Sequence, residues 1–318
     1  MTSRTVSIPV AKAGERVDTA LADLFGETRS AIARAIRQGR VTRGEAAIPV
    51  TKNASLVTEG DTYTLLPQSE VKPVGDSIPL DFATQIIYED DSVLVLNKAA
   101  GQVVHPSAGQ TQNTIAQAIV AREPHIADAR YDDTPLSQAR AGIVHRLDKA
   151  TSGLLVIAKT HAALIALQQQ FKDRTIKKEY VAIVAGTLRE SCVVDAAIAR
   201  HPVKRQRQAV VLTGKPATTA FTPLAQGTPD GTPITYVQAN PVTGRTHQIR
   251  VHLSHIHHPI LGDLVYADKN SMNISHALAV HNLLLHAKKI TFTHPVTGKT
   301  VTYHAEEPAY FKALLERF

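Results

Sequence analysis

The run Leu154-Leu155-Val156-Ile157-Ala158 contains no polar residue and follows directly on Gly142-Ile143-Val144-His145-Arg146-Leu147-Asp148-Lys149-Ala150-Thr151-Ser152-Gly153. A short, wholly apolar run bounded by turn residues reads as a buried strand. The apolar residues before Asp148 read as a second one. The chain must therefore fold so that a single carboxylate, Asp148, sits between two buried strands, with His145, Arg146 and Lys149 around it. Thr151-Ser152-Gly153 reads as the tight turn, because glycine takes positive φ without steric cost. A carboxylate held among cations is favoured in its charged form, which suits a nucleophile or an electrostatic stabiliser. The same spacing also describes a plain hairpin turn whose aspartate bonds its own backbone.

Around this centre the pattern alternates strands with a few helices. Gln85–Tyr88 and Val93–Leu96 read as a strand pair joined by residues 89–92. Residues 114–122 and 162–172 read as helices, the second with Leu164, Leu167 and Phe171 inward. Further strands are expected at 179–184, 209–212, 217–222 and 235–240. Many strands with interspersed helices predict an α+β fold with a mainly antiparallel sheet. Upstream, residues 14–66 form a small unit with helices at 18–25 and 31–38, the second capped by Thr28 or Ser30 and stopped by Gly39. Strands follow near Val41 and at 62–66. Residues 67–79 hold three prolines and read as an extended linker, so the large domain spans 80–318.

Charge narrows the partners. Lys and Arg number 35 against 28 Asp and Glu, a net charge of +7, which favours a polyanion. Arg29, Arg34, Arg37, Arg40 and Arg43 fall in one stretch without an acid. They form either a solvated helix face or a phosphate-contacting one. With no Trp and aromatics at 5%, broad base-stacking platforms are not expected. Cys192 is the only cysteine, which fits a reducing compartment. No signal-peptide core is present, and no apolar run approaches the roughly 20 residues of a membrane span. The expectation is a soluble, cytoplasmic monomer with no membrane partner. His247, His252, His255, His257 and His258 fit neither the His-Glu-x-x-His nor the zinc-finger spacing, and neither a Walker loop nor a dinucleotide glycine fingerprint occurs. No metal and no cofactor are expected.

His145-Arg146-Leu147-Asp148-x-x-Thr151-Ser152-Gly153 resembles the signature of the RluA-type pseudouridine synthases. Lys177-Lys178-Glu179-Tyr180-Val181-Ala182 resembles that family's Lys-x-Tyr segment. Thr243-Gly244-Arg245-Thr246-His247-Gln248-Ile249-Arg250 and Asn97-Lys98-Ala99-Ala100-Gly101 resemble two further motifs, and His286-Ala287 with His294-Pro295 the closing strand segment. Four motifs in order span most of the chain from about Arg16, and the likeness is to members that modify large-subunit ribosomal RNA. Two departures stand out: Ala99 replaces the usual proline, and Val41-Thr42-Arg43-Gly44 lacks the usual asparagine.

The resemblance implies a pseudouridine synthase catalytic fold preceded by a small αL RNA-binding domain. It implies an isomerase that converts uridine to pseudouridine in structured RNA by base flipping and an aspartate-dependent glycosidic rearrangement. Asp148 would be the central carboxylate, Arg250 its partner, and Tyr180 the residue against the base that takes the final ring-carbon proton. Arg146 would hold the flipped nucleotide's surroundings open. Leu253 would line the base pocket, and Arg245, His247 and Gln248 would contact substrate or support those that do. From residue type alone, Tyr180 also fits a strand tyrosine packed on the sheet, Arg250 a surface helix arginine, and Leu253 plain core. A non-catalytic RNA-binding or ribosome-assembly protein on the same fold is the alternative. It would not need Asp148, Tyr180 and Arg250 together.

Overall fold

The computed structural model describes residues 3–37, 41–44, 48–50, 53–65, 81–106, 113–130, 134, 139–203 and 207–318. The expected linker at 67–79 and the helix stop at Gly39 lie outside them. The chain divides into two compact units, Met1–Lys72 and Pro73–Phe318.

In the small unit, β1 (Arg4–Ser7), α1 (Val17–Phe25), α2 (Arg29–Arg37), β2 (Val41–Arg43), β3 (Ile48–Pro49) and β4 (Thr62–Leu65) follow in order. The strands form an antiparallel sheet ordered β1-β4-β2-β3. β1 lies before the expected start at Gly14, and its exposed, weakly apolar residues give no strand signal. α1 ends where Gly26 turns left-handed (φ +66°), and the Thr28 hydroxyl accepts from the Ala31 amide to open α2. Val17, Leu21, Phe25, Ile32, Ile36 and Tyr63 close the core. Two of the five arginines are engaged within the unit. Arg29 pairs with Asp18 at 3.1 Å and Arg43 with Asp61 at 2.7 Å. The stretch looks acid-free only along the chain; folding brings the acids in. The side chains of Arg34 and Arg37, and all of Arg40, lie outside the described residues.

The large unit is built on one sheet. Its strands are β5 (Ile86–Glu89), β6 (Val93–Lys98), β7 (Ser152–Ala158), β8 (Lys177–Ala185), β9 (Cys192–Asp195), β12 (Thr218–Gly227), β13 (Ile234–Pro241), β14 (Leu285–Thr293) and β15 (Thr300–His304). A separate hairpin pairs β10 (Ile198–Arg200) with β11 (Gln208–Val210). The sheet order is β5-β6-β7-β14-β8-β13-β12-β9, with β15 on β14. Every ladder among the described residues is antiparallel except β7 with β14. The helices are α3 (Phe82–Gln85), α4 (Ile115–Arg122), α5 (His161–Lys172), α6 (Gln248–His255), α7 (Lys269–Ala277) and α8 (Ala309–Leu315). Thr114 with Gln117 forms a capping box on α4, and Thr160 caps α5. Leu164 and Leu167 of α5 are buried against β7, as the spacing predicts.

Two expectations around Asp148 need correction. The run 142–147 is not a strand. It is an irregular loop, buried at Gly142, Ile143 and Leu147 and exposed at Arg146, that meets β7 through the Ile143–Ile157 bridge and through the Ala158 amide on the Gly142 carbonyl at 2.8 Å. Burial alone produced its apolar sequence. The turn also comes earlier than Thr151-Ser152-Gly153: the Thr151 amide bonds the Asp148 carbonyl at 3.1 Å, and Ser152 already belongs to β7. Gly153 sits inside the strand at φ +109°, where β7 meets β14. Beside it, His286 Nε2 faces the Ala305 carbonyl, so the ring accepts at Nδ1 from the Ser152 hydroxyl at 2.9 Å. A Cβ on Gly153 would meet the Ala287 carbonyl oxygen and, at 2.5 Å, the Ala287 amide nitrogen. Gly153→Ala is expected to lower the stability of the large unit by about 2–3 kcal/mol in urea unfolding, since both backbone conformation and overpacking oppose it. A loss under about 0.5 kcal/mol would contradict this account of the crossing.

Candidate active site

β6 delivers the first element of the site. Its last residue, Lys98, is almost wholly buried and donates to three carbonyls: Ala99 at 2.9 Å, Gln102 at 3.0 Å and Lys149 at 3.2 Å. Gly101 N–H donates to the same Lys149 carbonyl at 2.7 Å. Burial pulls the Lys98 ammonium down to about 7, with the Asp148 charge opposing. The loop that carries Asp148 is thereby tied to the end of β6.

α6 supplies the second element. Its first residue, Gln248, is a clamp: the Thr243 hydroxyl and Arg245 amide donate to its oxygen at 2.7 and 3.0 Å. Its amide group donates to the Thr218 carbonyl and the Thr219 hydroxyl, both at 3.0 Å. All four bonds of this carboxamide are used within the fold, which fits the supporting one of its two expected roles. Arg245 also donates from Nε to the Pro216 carbonyl.

Two residues into α6, Arg250 holds the arrangement together. Its Nε and one terminal nitrogen grip Asp263 at 2.7 and 2.8 Å. Its other terminal nitrogen donates to Asp148 Oδ2 at 3.1 Å. Asp263 is fully buried and takes the Val265 and Tyr266 amides as well. Burial opposes charge on both partners, yet their mutual pairing prevails: Asp263 stays below the usual carboxylate range and Arg250 rises further. The guanidinium carbon lies 5.1 Å from the Tyr266 ring centroid. Arg250 is thus a core residue, not a surface helix arginine.

His247, left-handed at φ +57°, stands between these groups. Tyr266 accepts from the Gln208 amide, and its hydroxyl pairs with His247 Nδ1 at 2.8 Å. His247 Nε2 faces Asp148 Oδ2 at 3.7 Å. Tyr180 on β8, half-buried between Ala239 and Ala287, has its hydroxyl pushed well above the ordinary value by burial and then by Asp148. It is a neutral phenol.

A cleft of 470 Å³ joins these groups. Arg146, Asp148, Tyr180, Arg245, His247, Gln248 and Arg250 all line it, so the structure brings most of the expected residues together. Leu253 is not among the lining residues. It is fully buried in the core with Ile249, Leu261 and Ile274, and the expected base-pocket role does not fit its position. His145 departs too. It accepts from the Val156 amide at 2.9 Å, stacks on Phe171, and is held down to about 3 by burial and by Lys178. It adds no positive charge near Asp148. Asp148 does not bond its own backbone either; its carboxylate turns to Arg250.

Three residues escaped the sequence reading. Lys98 and Lys178 stand in the quoted motifs without a role, and Asp263 lies beyond them; Lys178 lines the cleft with its ammonium drawn down to about 8 by burial. Only Gly262 hinted at Asp263: it is left-handed, and a Cβ there would collide with the Asn282 backbone. Among the described residues, no cluster of three or more His, Cys, Asp or Glu side chains is arranged to hold a metal ion. His252 and His258 instead face the Ala196 and Ala185 carbonyls.

The pattern defining the RNA pseudouridylate synthase family matches residues 92–255. The chain is 36% identical to ribosomal large subunit pseudouridine synthase D of Pseudomonas aeruginosa, covering 99% of this chain and 95% of that protein. Its Vibrio vulnificus namesake is 38% identical over 96% and 91%. Among solved structures, human RNA pseudouridylate synthase domain containing 1 superposes with a TM-score of 0.56 at 26% identity, covering 70% of this chain and 83% of that one. Human RNA pseudouridylate synthase domain containing 4 gives 0.56 at 25%, over 74% and 93%.

The geometry makes Arg250 depend on Asp263 far more than on Asp148. Asp263→Ala leaves a buried guanidinium without its two-point partner and is expected to cost about 3–5 kcal/mol in urea unfolding. Asp148→Ala, at the cleft edge, is expected to cost under about 1.5 kcal/mol. Equal losses would contradict this division.

Proposed function

Because the chain belongs to the RNA pseudouridylate synthase family and is an RNA pseudouridine synthase, an isomerase, we propose that its substrate is large-subunit ribosomal RNA and that Asp148 carries the reaction. The names of the Pseudomonas and Vibrio relatives support the substrate. The observation that carries the site assignment is the Asp148 carboxylate on a 470 Å³ cleft, held from behind by a guanidinium that Asp263 locks in place.

The isomerisation breaks the bond between uracil N1 and ribose C1′, forms one from C5 to C1′, and moves the C5 proton out as N1 gains one. Nothing enters or leaves, so the protein must only hold, polarise and move a proton. The target nucleotide leaves its stack to reach the cleft. Asp148 then meets the electron-poor sugar centre as in glycoside chemistry, with one lobe bonded to Arg250 and its remaining lone pairs open to substrate. The bond from Arg250 holds the carboxylate in position once RNA has displaced water. The Tyr180 ring packs on the base. Since burial keeps its hydroxyl protonated in the free protein, it takes the C5 proton only as it hands its own on, and Asp148 is the charged neighbour that bears on it. Arg146, Arg245 and His247 line the same cleft and hold the nucleotide's flanks.

The small unit is the RNA-binding module. The 67–79 segment joins it to the catalytic residues, 80–318. Pairing of Arg29 and Arg43 with Asp18 and Asp61 lowers the charge it offers to phosphates, so its contacts rest on fewer than five free arginines.

Asp148→Asn is expected to reduce pseudouridine formation on large-subunit ribosomal RNA from cells lacking this chain by about four orders of magnitude, while RNA affinity changes less than about threefold. Mapping pseudouridines in that RNA checks the substrate at the same time. Turnover within about tenfold of the parent would remove Asp148 from its role. Complete modification of that RNA in the absence of the chain would remove the substrate.

A further inference from the structure

The turn after α5 carries a residue that the fold does not ask for. The Thr175 amide bonds the Gln170 carbonyl at 3.1 Å and the Arg174 amide bonds the Phe171 carbonyl at 3.3 Å. These are the two bonds of a Schellman helix end, with Arg174 at the position where glycine is the usual choice. Arg174 sits there at φ +60°, a conformation costly to any residue with a Cβ. The turn is closed by these backbone bonds and by the Thr175 hydroxyl on the Gln170 carbonyl at 3.3 Å, none of which uses the Arg174 side chain. Asp173, next in the chain, gives both carboxylate oxygens to the Gln169 amide group at 2.8 and 2.9 Å. Among the described residues, no carboxylate or carbonyl takes the Arg174 guanidinium. It is exposed, and it lines the cleft together with Lys172 and Lys178. The one acid on the cleft, Asp148, is already bonded to Arg250.

We infer that Arg174 is a binding residue for the RNA sugar-phosphate backbone, at a subsite of the cleft separate from the group around Asp148. A guanidinium without a protein partner, kept at a strained position beside an RNA-binding cleft, has its use in an anion that arrives with the substrate. A phosphodiester is the anion that every RNA segment brings. The inference rests on the cleft taking RNA, and it adds a contact that positions the strand without touching the reacting nucleotide.

The test compares Arg174→Gly and Arg174→Lys in the full chain, by binding to protein-free ribosomal RNA across a salt series, by thermal melting and by turnover. Glycine relieves the backbone and removes the charge. Its melting temperature is expected to equal the parent's or exceed it by roughly 1–3 °C. Its Kd is expected to rise roughly threefold to tenfold, with the salt slope smaller by about 0.7–0.9. KM should rise with Kd, while kcat at saturating RNA stays within about twofold. Lysine keeps the charge and the strain, so slope and melting temperature should match the parent. Stability and affinity thus move in opposite directions in the glycine variant, which a merely structural arginine would not do. Parent-like affinity and slope in Arg174→Gly, or a lowered melting temperature, would overturn the inference while leaving the Asp148 assignment standing. If the parent itself shows no salt-dependent binding to RNA, the reading of the cleft falls with it.

Discussion

A guanidinium has three directions in which to donate, and in this fold two of them are used up out of sight of the cleft. Asp263 lies at the bottom of the arrangement with no exposed side-chain surface, and its oxygens take both Arg250 and the amides of Val265 and Tyr266. Such a pair is tolerable in the core only because nearly every lone pair and proton is satisfied. Once the fork is engaged, the plane of the guanidinium is fixed, and its remaining edge points at Asp148. The carboxylate facing the cleft is therefore aimed by a buried one that never meets substrate.

The backbone around Asp148 is held with the same economy. Lys98 gathers carbonyls from two loops, one of them at Lys149, so the end of β6 and the turn after Asp148 move as one body. At the other side of the turn, β7 closes onto β14 so tightly that only a glycine fits at 153. The Gln248 clamp fixes the start of α6 and, through it, the position of Arg250. Four supports from distant parts of the chain converge on one loop, which leaves Asp148 precise without placing it in regular structure.

Much of this was legible in the sequence, and the boundary follows the range of the interactions. Apolar periodicity gave α4, α5 and the β5–β6 pair, because that signal lies within a few residues. The motif resemblance gave Asp148, Tyr180 and Arg250, which the fold brings to one cleft. Local charge counting failed twice. His145 looked like a cation beside Asp148 and is a buried neutral acceptor, while the true partner comes from 102 residues away. Arg29 and Arg43 looked unopposed until folding brought Asp18 and Asp61 to them. The apolar run before Asp148 was read as a strand because burial and strand pairing leave the same composition. Leu253 was placed at the pocket for the same reason: an apolar residue one turn from Arg250 carries no mark of which way it faces. The parallel meeting of β7 and β14 joins segments more than a hundred residues apart, and no local pattern encodes it.

The direction of the Arg250 fork, and not its charge, sets Asp148. Single-turnover pseudouridine formation by Arg250→Lys tests it most directly, with folding of the variant checked by urea unfolding. Lysine keeps the positive charge but, as a point donor, cannot bracket Asp263 and reach Asp148 in one plane. The expected result is a folded variant that binds RNA with near-parent affinity and turns over at least about 100-fold more slowly, the cost of misplacing a reacting group by roughly an ångström. A folded Arg250→Lys protein with turnover within about threefold of the parent would show that charge alone suffices, and would contradict it.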